Sequence, residues 1–149
     1  MSKIKVLDKV LDVRESEKQT AQKEQLAAQN EFEKVATELY ELLKSKELAE
    51  QKLHEVLTES SSIAEMKNMS LYIETLVQKI PMLQKEVQLA RKKMEAKQGD
   101  LTEAHVEVKK IEKMIENRKL AEKLEEERTE KMLMDEISIR QYQVATQNR

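Results

Sequence analysis

The stretch that decides the fold is Met66–Ile115, MKNMSLYIETLVQKIPMLQKEVQLARKKMEAKQGDLTEAHVEVKKIEKMI. Alternate steps of three and four residues from Met66 visit positions 69, 73, 76, 80, 83, 87, 90, 94, 97, 101, 104, 108, 111 and 115. These positions read MMILILVAMKLAVII, broken only at Lys97. A sustained 3.5-residue apolar period places one stripe along one side of a long helix, which is the seam of a left-handed coiled coil.

Upstream, the same stepping from Ile4 to Val56 reads ILLRKAQAFVLLKALV. The misses are Arg14, Lys18, Gln25 and Lys46, so this seam is the weaker of the two. Between the seams lies Thr58-Glu59-Ser60-Ser61-Ser62. Serines bond their own backbone and disfavour helix interiors. Ser62-Ile63-Ala64-Glu65 has the spacing of a capping box, with Ser62 as N-cap and Glu65 three residues on. The expectation is an all-α fold, two long helices in an antiparallel coiled-coil hairpin. The first helix spans about 4–58, the turn about 59–62 and the second helix about 63–140, with a disordered tail at about 141–149. All belong to a single coiled-coil domain over 1–149. Folding back at the serines brings Val56 near Ile63–Met66 and Ile4 near Ile115, so the two seams run out together. The alternative is a polar stretch inside one continuous helix.

Two residues argue for breaks. Pro81 lacks an N–H and crowds the preceding turn, at about 3 kcal/mol in a helix interior. Gly99-Asp100 could end one helix and cap another, giving a three-helix bundle. The three-four phase passes both points without a slip, so the reading is one second helix, kinked near Pro81 and extending beyond the first.

Composition agrees. The 149 residues include one Gly, one Pro, no Cys and no Trp, and 38% are charged. Folds with many tight turns need more Gly and Pro than this. The charge is balanced, 27 Lys+Arg against 29 Asp+Glu, so no lopsided field gathers nucleic acid or an anionic membrane. Without Cys there is no disulfide or thiolate metal site, which fits a reducing, cytoplasmic setting. Lys3, Lys5, Asp8, Lys9 and Asp12 interrupt every early apolar run, so no signal peptide is read there.

Nothing in the chain assembles an active site, and no cofactor or metal is expected. A single Gly cannot build a phosphate loop. His54 and His105 each sit beside a seam residue and read as helix-flanking side chains. The informative residues are apolar ones off the seam. Leu71, Tyr72, Val77 and Met82 surround Ile73 and Leu76 near the turn, giving the second helix more than one apolar stripe there. They either pack on off-seam residues of the first arm or form a partner surface. After Ile115 the seam fades into Asn117–Lys131, and a cluster of Met132, Leu133, Met134, Ile137, Ile139 and Tyr142 follows where the first arm offers no counterpart. A helical end presenting Met and Leu suits a groove or ring lumen.

Four pieces carry a family resemblance over essentially the whole length: VLDKVLDVRESEK (6–18), YIETLVQKI (72–80), DLTEAHVEVKKIEKM (100–114) and MDEISIRQY (134–142). With these the chain resembles FliJ, a small component of the bacterial flagellar type III protein export apparatus. The resemblance implies a cytoplasmic, non-catalytic, stalk-like coiled coil, peripheral to the inner membrane at the flagellar base. It implies that the joined terminal ends bind the ring of the export ATPase FliI, that the protein contacts the export-gate protein FlhA, and that it cycles export chaperones. By that analogy Leu71, Tyr72, Leu76 and Val77 form the gate-facing tip. Leu7, Leu11, Met132, Leu133, Met134, Ile137 and Tyr142 form the ATPase-facing end. The expected state is a monomer or weak oligomer that binds no nucleic acid. The rival reading is a generic coiled-coil scaffold or prefoldin-like chaperone.

Overall fold

The computed structural model describes residues 2–59 and 62–148, except the side chain of Ser2. It contains two helices, α1 (Ser2–Thr58) and α2 (Ile63–Gln147), and no strand among the described residues. The join between them follows from local hydrogen bonding. At the end of α1, the Glu59 N–H and the Thr58 hydroxyl both donate to the Glu55 carbonyl, at 3.0 and 2.8 Å. The Ser62 Oγ accepts from the Glu65 N–H at 3.2 Å, satisfying a donor that the first turn of α2 would otherwise leave orphaned. Glu65 places its carboxylate at the positive end of the helix dipole. Ser60 and Ser61, the middle of the expected turn, lie outside the described residues.

Both helices pass through residues of poor helix propensity without interruption. Thr37, Thr75, Thr102, Thr129 and Thr146 each donate a hydroxyl hydrogen bond to the carbonyl four residues back. Each hydroxyl thus finds its acceptor within the helix, a back-bonding that costs the helix little and does not end it. Pro81 is inside α2 and exposed, so water can reach the Val77 carbonyl that loses its amide partner. Gly99 also sits inside α2, at a point where an added Cβ would meet nothing within 4 Å.

Every position of both stepping patterns, Ile4 through Val56 and Met66 through Ile115, is buried or half-buried. Few other residues share that status. The chain divides into two compact units, where the sequence reading treated it as a single domain.

The unit Gln19–Glu103 holds the turn. Its helices run antiparallel, with the Phe32 ring 5.8 Å from the Arg91 guanidinium and the Glu24 carboxylate 3.1 Å from the Lys97 ammonium. Lys97, the single polar residue of the second seam, thus stays in phase and directs its charge to a carboxylate on the facing helix. The buried side chains are Ala28, Val35, Ala49, Leu76, Ile80 and Val87. Alanines opposite larger residues let two helix backbones approach closely.

The other unit joins the residues up to Lys18 with those from Ala104 onward. Its core is Val108, at 1% exposure the most enclosed large side chain, and Ile115. Arg14 occupies a seam position here. One of its NH groups reaches the Glu17 carboxylate at 3.0 Å, while its Nε is buried without a partner. An unpaired buried donor costs about 1–3 kcal/mol, so this layer holds the helices less firmly than Val108 does.

Two expectations are corrected. Of the stretch Ile63–Met66 expected near Val56, only Met66 is half-buried; Ile63 is 83% exposed. The tail expected to be disordered from about 141 continues as helix to Gln147. QYQVATQ contains neither Gly nor Pro, and the Thr146 hydroxyl donates back to the carbonyls of Tyr142 and Gln143, so nothing ends the helix earlier.

Candidate functional site

No helix is long and apolar enough to cross a membrane, and the described residues contain no cluster of three or more His, Asp or Glu able to hold a metal ion. His54 is exposed on one face of α1 with Glu47, Glu50 and Glu55, and His105 is exposed on α2. The remaining candidates are surfaces, one in each unit.

In the unit that contains the turn, Leu71, Tyr72 and Val77 are exposed, as is Met82 beside them. Leu76 is not. At 6% exposure it is a seam residue facing α1, so its apolar surface is spent on intrachain packing. Tyr72 lines a groove with Met69 and Asn68 of α2 and Ser45, Leu48, Ala49 and Lys52 of α1. Sequence reasoning applied the off-seam criterion only to α2 and missed α1's share of this surface. Tyr40, Leu43 and Leu48 are exposed apolar residues next to or near seam positions, and the same criterion would have found them.

In the terminal unit, Leu7 and Leu11 are half-buried, so they serve the seam first. Leu7 also lines an open groove of about 650 Å³ with Lys3 and Val6 of α1 and Met114, Asn117, Arg118 and Ala121 of α2. The floor is apolar and the rim cationic, from Lys3 and Arg118. Beyond Glu122, α2 continues as a helix with no facing segment among the described residues. From Lys123 to Asn148 every residue is exposed. Met132, Leu133, Met134, Ile137, Ile139, Tyr142 and Val144 are all at least 42% exposed. Leu133, Ile137 and Val144 prolong the direction of the buried seam residues Val108 and Ile115, while Met132, Ile139 and Tyr142 project to the other side, as 3.6-residue periodicity requires. The seven residues expected at this end therefore divide three ways: two half-buried in the pairing, and the rest on two stripes of an unpaired helix. The stripe on the far side begins at Met114, within the groove.

Comparisons with known proteins agree along nearly the full length. The family model described as "Flagellar FliJ protein" matches residues 3–147. The curated "Flagellar FliJ protein" of Bacillus subtilis (strain 168) is 38% identical over 136 residues, covering 91% of this chain and 92% of the relative. No solved structure gives a significant match.

Proposed function

The chain belongs to the flagellar FliJ protein family, and on that premise we propose that it is a non-catalytic component of the flagellar protein export apparatus, acting as a stalk-like subunit of the export ATPase. The observation that carries this reading is the apolar end of α2, a helix from Lys123 to Gln147 with Leu133 and Ile137 exposed and no facing segment among the described residues. Holding such surface in water is unfavourable by about 25 cal/mol per Å², so a partner that covers it is favoured. A helix carrying apolar residues on two sides suits a lumen that encloses it. In this reading the ATPase ring receives Leu133, Met134 and Ile137 together with the start of α1. The groove around Tyr72 and Leu48 meets the export gate, export chaperones are handled as clients, and membrane association is peripheral, through those partners.

The non-catalytic reading follows from membership of the family and is supported by the open form of the grooves among the described residues. The test is the ATPase rate of the cognate export ATPase with and without this protein, using full-length chain and a chain truncated after Glu130. Stimulation by the full chain and loss of binding by the truncated one are expected. An unchanged rate together with undiminished binding of the truncated chain overturns the reading.

A further inference from the structure

The far-side stripe of α2 is self-complementary. Its positions Ala121, Leu124, Arg128, Met132, Asp135, Ile139 and Tyr142 advance by an average of 3.5 residues, the coiled-coil period, and all are exposed. If a second copy of the same segment is laid antiparallel, with the two-fold axis between Lys131 and Met132, six of the seven stripe residues meet one another across the axis and Met132 faces Lys131. Ala121, the smallest, faces Tyr142, the largest. Leu124 faces Ile139. Arg128 faces Asp135, and neither forms an ion pair among the described residues. Because the two-fold repeats every contact, one match counts twice.

The groove adds an independent argument. In this register the end of the second copy's α2 lies along Asn117 and Arg118, so Tyr142 and Thr146 of that copy enter the groove of Val6, Met114 and Ala121. The last turn of α2 carries no basic residue to offset the negative end of its helix dipole. Lys3 and Arg118, on the rim of the groove, supply the missing positive charge from the other copy.

We infer that this face is a homodimer interface: two chains associate antiparallel through Asn117–Thr146 of α2, with the end of each helix seated in the other's terminal groove. The occupant is a second copy of this chain. The ring reading uses Leu133 and Ile137 on the opposite stripe and shares with this interface only the start of α1.

The experiment is sedimentation equilibrium of the full chain from low micromolar to about 0.5 mM, the range in which an interface with charged central layers is expected to associate. The mass should rise from 17.5 kDa towards twice that value. Arg128→Asp and Asp135→Arg should each weaken association by about tenfold or more, since each sets two like charges face to face. The double variant should restore it to within about threefold. Both residues are exposed on the unpaired segment, so circular dichroism should show the same helix content in all variants. Orientation is read from the cysteine-free chain carrying either Leu124→Cys or Ile139→Cys. Oxidation should cross-link a mixture of the two and neither alone. A monomer mass throughout, failure of the double variant to recover, or cross-linking of each cysteine variant with itself overturns the inference.

Discussion

Two parts of α2, Met66–Ile115 and Lys123–Gln147, are covalently one helix, but among the described residues only the first faces α1. Both contain Leu, Ile, Met and Val at helical spacing. In the first part these residues lie opposite α1 and are buried or half-buried; in the second they are exposed on two sides. The difference teaches that helix formation and burial are separate links. Helicity is continuous because the residues are good helix formers, threonines bond back to the preceding turn and no breaker intervenes. Burial stops where the facing helix stops. The first part is therefore a structural element and the second an instrument for binding.

The sharpest way to break this comparison is to place the same charge in each part. Val108→Asp buries a carboxylate where 1% of the side chain is exposed. It should cost on the order of 4 kcal/mol and lower the midpoint of thermal unfolding followed by circular dichroism. Leu133→Asp, on the overhang, should change stability by less than about 0.5 kcal/mol and abolish stimulation of the export ATPase. Equal destabilisation by the two would show that the overhang has a folded partner.

A second contrast lies near the turn. Leu76→Ala should cost about 2–4 kcal/mol in denaturant unfolding, because a buried seam residue leaves a cavity between the helices. Tyr72→Ala, at 53% exposure, should leave stability within about 0.5 kcal/mol and weaken binding to the export gate. The reverse ranking would overturn the assignment of Leu76 to the seam and Tyr72 to the surface.

Smaller effects probe the weak middle of the pairing. Gly99→Ala should stabilise by about 1 kcal/mol, since the new Cβ meets nothing and the helix gains propensity. A loss of stability would show that Gly99 is needed for close approach. The smallest effect is the Lys97–Glu24 pair, part-exposed on both sides. A double-mutant cycle to Ala should give a coupling of a few tenths of a kcal/mol that fades in high salt.

The seams were legible in the sequence because one period has to satisfy two facing helices at once. Even Lys97 and Arg14, which break the apolar pattern, kept their seam positions, since a helix cannot rotate one residue out of phase. The capping of α2 was legible at Ser62 because its hydrogen bond is local. The exposure of Ile63 was not, because it depends on where the chain crosses from one helix to the other. The fate of residues 141–147 was misread by equating polarity with disorder, whereas Gln, Thr and Ala support a helix that contains no breaker. At the surfaces, the apolar cluster from Met132 to Tyr142 was legible because the first seam runs out near Ile4. Its separation into two stripes with different complements required the helix to be seen as continuous. Leu48 escaped notice because it reads as a lone off-seam apolar residue of α1, and only the groove shared with Tyr72 gives it a setting.

The capped join between Thr58 and Ile63 also fixes an order of assembly. Contacts near it close short loops, while those between the start of α1 and Ala121 close loops of more than a hundred residues, and loop entropy grows with length. Folding should therefore zip outward from the join, as local contacts form before distant ones. During synthesis the first turns of α1 wait unpaired until nearly all of α2 has been made. The terminal layers form last and open first, so the end of the molecule that carries the unpaired helix is also the end most readily rearranged when something binds it.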